Sequence, residues 1–71
     1  MSQVMTGVKA HDDAVKVSYG ALQVAITGAT TQAAINTAYI THYRACLASA
    51  KANGCGIEPF VTALKSLGVN A

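Results

Sequence analysis

Charge is the scarcest ingredient of this 71-residue chain: Asp, Glu, Lys and Arg together make up 11% of it, against about 25% in an ordinary globular domain. Five basic and three acidic residues leave a net charge of +2, too small and too dispersed to select nucleic acid or an anionic membrane surface as a partner. Acids are too few for paired-carboxylate chemistry. Asp12 and Asp13 are neighbours in sequence, so on a helix they point in different directions and suit the positive N-terminal end better than a metal or a proton-transfer step. Tryptophan is absent and the three tyrosines and one phenylalanine are not interleaved with Lys or Arg, which removes the base-stacking pattern of single-strand binders. The six glycines fall into neither the dinucleotide nor the P-loop fingerprint.

A long apolar run is also missing. Residues 17–43 carry no formal charge, yet Ser18, Gln23, Thr27, Gln32, Asn36 and Thr41 interrupt them, whereas a spanning helix needs about 20 predominantly apolar residues in a row. No membrane insertion is expected. Met1 to Lys9 lack the basic start, compact apolar block and small-residue cleavage site of a signal peptide. The expected location is the cytoplasm or an intracellularly assembled particle.

What is abundant is apolar periodicity. Val4, Val8, His11, Val15, Tyr19, Leu22 and Ile26 recur at gaps of three and four, which predicts a helix over about 4–27. Two rivals compete with it. Asp12 or Asp13 could cap a helix that starts near Ala14, and the alternation of Val15, Val17, Tyr19 and Ala21 could mark a strand. The strand pattern lapses after Ala21 and no hairpin turn dipeptide follows. Gly28 ends the first segment and Thr30 or Thr31 caps a second helix, over about 31–53, that stops at Asn53-Gly54. The short connection makes the two helices antiparallel. Pro59 fits the first turn of a short third helix over about 58–67, with Phe60, Val61, Leu64 and Leu67 on its apolar face and Gly68 at its end. The fold expected for residues 1–71 is therefore one small all-α domain, an antiparallel helical hairpin with a short C-terminal third helix.

The second helix carries two faces. Ile35, Tyr39, Ile40, Tyr43, Cys46 and Leu47 form a bulky stripe, while Ala34, Ala38, Thr41, Ala45 and Ala52 form a small-residue face suited to close approach of another helix. A chain this short buries little apolar surface alone. One hairpin partner can cover only one of those faces. A non-enzymatic structural or interaction module is expected, self-associating or packing on another protein through that small-residue face, as in a larger assembly such as a virion or filament. The charge-poor, Ala- and Thr-rich hairpin is similar in composition and shape to the helical subunits of secretion needles and small virions, with no motif carrying the similarity. No cofactor is implied.

Sulfur and imidazole supply the rival reading. His42 and Cys46 are one helical turn apart, Cys55 lies just past the helix end, and His11 sits on the first helix, so a zinc or redox-responsive site is conceivable on His42, Cys46 and Cys55. The spacing lacks a Cys-x2-4-Cys or His-x3-5-His pair. The plainer assignment makes Cys46 a small buried apolar residue, His42 a satisfied histidine on a helix face and Cys55 a turn thiol. A Cys46–Cys55 disulfide and a His42–Cys46 nucleophile pair are the remaining alternatives, the second with no orienting group or oxyanion site.

Overall fold

A computed structural model describes residues 8–70, and in it three helices follow one another: α1 (Lys9–Gly28), α2 (Gln32–Ala52) and α3 (Glu58–Ser66). No strand is present among the described residues, so the alternation from Val15 to Ala21 is the coincidental spacing of an amphipathic helix. The expected start of the first helix near residue 4 lies outside the described residues. The capping role expected for Asp12 and Asp13 is corrected: α1 begins at Lys9, with Val8 as N-cap and Asp12 N–H bonded to the Val8 carbonyl at 3.0 Å. Neither acid caps the helix, but Asp12 does lie in its first turn, near the positive end, and Asp13 pairs with Lys9 one turn back at 2.7 Å. That exposed pair holds the Asp13 carboxyl below the usual carboxylate range, chiefly through its hydrogen bond to Lys9, and the same bond raises Lys9.

The hairpin bend needs little special chemistry. Gly28 is the last residue of α1, Ala29 is extended, and Thr31 caps α2 by accepting the Ala34 N–H on its hydroxyl at 3.1 Å. The other two helix ends do require glycine. Gly54 and Gly68 have φ of 68° and 83°, and the residue after each donates back to a carbonyl five residues earlier, Cys55 to Ala50 at 2.8 Å and Val69 to Leu64 at 2.9 Å. These are Schellman closures, which satisfy the orphan carbonyls of α2 and α3.

α2 is the central element, packed against α1 on one side and α3 on the other. The core comprises Leu22 from α1, Ala38, Cys46, Leu47 and Ala50 from α2, and Leu64 from α3. Small side chains of α2 face α1, whereas its bulky Ile35, Tyr39 and Tyr43 line a shallow cleft with Ala63 of α3 and Leu67, the residue that caps it. Tyr39 and Tyr43 stack there at 6.1 Å between ring centroids. α1 and α3 meet at one end, where the rings of His11 and Phe60 are edge-on at 6.0 Å.

One stripe assignment is corrected. Tyr19 is 53% exposed, and Ser18 occupies the α2-facing position in its place. The spacing His11, Val15, Ser18, Leu22 stays aligned with α2, while a second step of four from Val15 swings Tyr19 to the flank.

Candidate functional site

Two histidines are buried in the hairpin, His11 at 3% and His42 at 8% exposure, and each meets a serine on the opposite helix. His11 Nδ1 of α1 lies 2.8 Å from Ser49 Oγ of α2. In reverse sense, Ser18 Oγ of α1 lies 2.7 Å from His42 Nδ1 of α2. Seven residues separate His11 from Ser18 and seven separate His42 from Ser49, so the two pairs sit two turns apart along one antiparallel seam. Both buried rings thereby have polar partners, without which each would cost about 1–3 kcal/mol. The arrangement fixes register: sliding one helix by a turn would unpair both histidines at once. Within α2, Asn53 donates its side-chain amide to the Ser49 carbonyl at 2.9 Å and helps close that helix end.

Around His42 the remaining neighbours are Tyr19 and Tyr43, with ring centroids at 6.1 and 5.2 Å, and the Cys46 thiol. Cys46 Sγ is 3.9 Å from Nδ1 and 3.8 Å from Nε2. Equal distances to both nitrogens mean that sulfur aligns with neither. Burial pushes the Cys46 thiol up and the His42 ring down from their ordinary values, which favours the neutral form of each and weakens Cys46 as a nucleophile. Ser18 stands in mid-α1, where main-chain N–H groups are spent on the helix ladder and offer no oxyanion donors. The Ser18–His42 pair is a clamp between helices.

Ser18 and His42 also line a groove of about 740 Å³ running between α1 and α2. Its α1 wall carries Ala14, Val17, Ala21 and Ala25, and its α2 wall carries Ala34, Thr37, Ala38, Thr41 and Ala45. The lining extends from Asp13 to Ala25 and from Ala34 to Ala45, about 18 Å at 1.5 Å per residue. Among the described residues that line it, Asp13, at one end, is the only one with a formal charge.

The residues expected to form an interface are thus placed in three ways. Ala34, Thr41 and Ala45 are exposed in the groove wall, and Ala38 is buried at its floor under α1. Ala52 is exposed but is not part of the groove, because α2 projects beyond it there.

The sulfur and imidazole set is not assembled as the zinc or redox reading requires. His42 and Cys46 are adjacent, but Cys55 is half-buried in the turn after α2 with its thiol directed to the Asn53 carbonyl at 3.8 Å. Among the described residues no group of three His, Cys, Asp or Glu side chains converges as a metal site. The two cysteines are not joined as a disulfide. Cys46, 1% exposed, should lose about 1 kcal/mol or more of stability when replaced by Ser, because the smaller, better-solvated hydroxyl forfeits the packing of a fully buried sulfur. Cys55→Ser should fold as before. Urea unfolding of both variants checks this, and equal, severe losses would point to a shared bond or metal instead.

Ser18 and Ser49 are the site residues that apolar periodicity alone passes over. Their signal lies in register, a serine and a histidine seven residues apart on each of two antiparallel helices. Comparison with protein-family models, curated proteins and solved structures finds no match for the chain. Among the described residues no helix is long and apolar enough to cross a membrane.

Proposed function

We propose that this chain is a non-enzymatic structural module that pairs with a second copy of itself through the groove between α1 and α2, as a subunit of a larger assembly. The observation that carries the reading is the groove itself, apolar and about three helical turns long, on the side of the hairpin that α3 leaves open. Its walls are built of Ala and Thr, which let a helix backbone approach closely.

A second copy is favoured as the occupant because bump and hollow occur on the same patch. Val17 and Val24 are each 75% exposed and stand seven residues apart on α1, beside a hollow lined by alanines. A two-fold interface needs both features on one surface, each copy's ridge entering the other's hollow. Charge agrees with this. Apart from Asp13 at one end, the described groove lining carries no Asp, Glu, Lys or Arg, so two copies meet along the rest of it without like-charge repulsion, whereas a charged foreign surface would find little to answer it.

Amide spectra recorded over a dilution series test the location. Shifts that follow concentration should cluster at Val17, Ala21, Thr41 and Ala45 and spare Ala63 and Leu67 at the α2–α3 cleft. Changes confined to the α2–α3 cleft would place the interface elsewhere and defeat the reading.

A further inference from the structure

We propose that His42 gates this pairing, the second copy seating on the groove only while the His42 ring is neutral. The inference rests on the pairing proposed above and adds its regulation. His42 is part of the groove wall, and the groups facing it are hydroxyls, rings and a thiol: Ser18 and Tyr19 from α1, Tyr43 and Cys46 from its own helix. None of them is a carboxylate. Among the described residues the one carboxylate lining the groove, Asp13, is bonded to Lys9 at 2.7 Å, and the ionisable groups of α3, Glu58 and Lys65, are exposed.

A proton added to the ring therefore puts an unpaired positive charge in an apolar wall. In the open groove, water can still approach that charge along one side. A second copy seated on the groove displaces this water, and the charged ring becomes costlier still. The sign follows from linkage. Burial in the single chain already lowers His42 relative to an exposed histidine, and covering the groove lowers it further. Pairing then releases protons, so it is strongest above the single chain's His42 value and weakens as pH falls towards the paired value. Each unit of difference is tenfold per histidine, and a two-fold pair holds two of them, giving about a hundredfold weaker association for one unit.

Sedimentation of the full chain at about pH 7.5 and about pH 5.5, with circular dichroism at each pH, tests this in the range where histidine titrates. The expected result is a pair at the higher pH that dissociates at the lower with its helix content kept, and a His42→Asn variant, able to donate to Ser18 but not to take a charge, that stays paired at both. Dissociation of His42→Asn in acid to the same extent overturns the gate, and so does a wild-type mass unchanged by pH. A monomer already at pH 7.5 overturns the pairing itself. Should His42→Asn fail to fold, the wild-type ring signal of His42 decides: it should titrate lower in concentrated than in dilute solution, and an identical value overturns the proposal.

Discussion

Leu64→Ala should cost about 2–5 kcal/mol in urea unfolding, the range for emptying a leucine site in a packed core. Leu64 is 1% exposed and is the only buried residue of α3, a nine-residue helix too short to persist without tertiary contacts. Its carbonyl also accepts the Val69 N–H that closes the helix. Domains of about 60–70 residues bury only some 60% of their unfolded surface and are correspondingly marginal, so a loss of this size should leave the variant largely unfolded near room temperature. A cost below about 1 kcal/mol would mean that α3 is not docked on α2 through Leu64.

Ala45→Glu should have the opposite profile, leaving the single chain intact and breaking its association. Ala45 is exposed in the groove wall, and glutamate is a good helix former, so helix content and unfolding midpoint of the dilute chain should change little. In the paired state the same carboxylate would be buried without a partner. An uncompensated buried charge costs about 3–5 kcal/mol, equivalent to at least a hundredfold in the dissociation constant. Sedimentation velocity reads the change directly. An unaltered association would remove Ala45 from the interface, and a collapse of helix content would show that the position is needed by the single chain.

Much of the fold was legible in the sequence because its signals are local. Gaps of three and four, Thr31 as an N-cap, Asn53-Gly54 and Gly68 as helix ends, and Pro59 in the first turn of α3 each act within a few residues. The start of α1 was not so marked: it lacks a side-chain cap, and the adjacent acids at 12 and 13 imitate one. The small-residue face of α2 was visible, but which part of it remained open was not. That depends on how α1 lies across it, covering Ala38 and leaving Ala34, Thr41 and Ala45 as a wall. The His11–Ser49 and Ser18–His42 pairs were hidden for the same reason, since residues 38 and 24 positions apart declare themselves only when the register of the hairpin is known. His42 and Cys46 were correctly seen as neighbours, and the structure gives them to interhelix packing.

If the groove between α1 and α2 is a contact surface between copies, the native chain must gain mass in solution as its concentration rises. Sedimentation equilibrium from low to high micromolar concentration at about pH 7.5 should show the average mass rising from that of one 7.2 kDa chain to twice that value or more, with a single reversible constant at the dimer step. A well-folded chain that keeps the mass of one copy throughout that range would contradict the account.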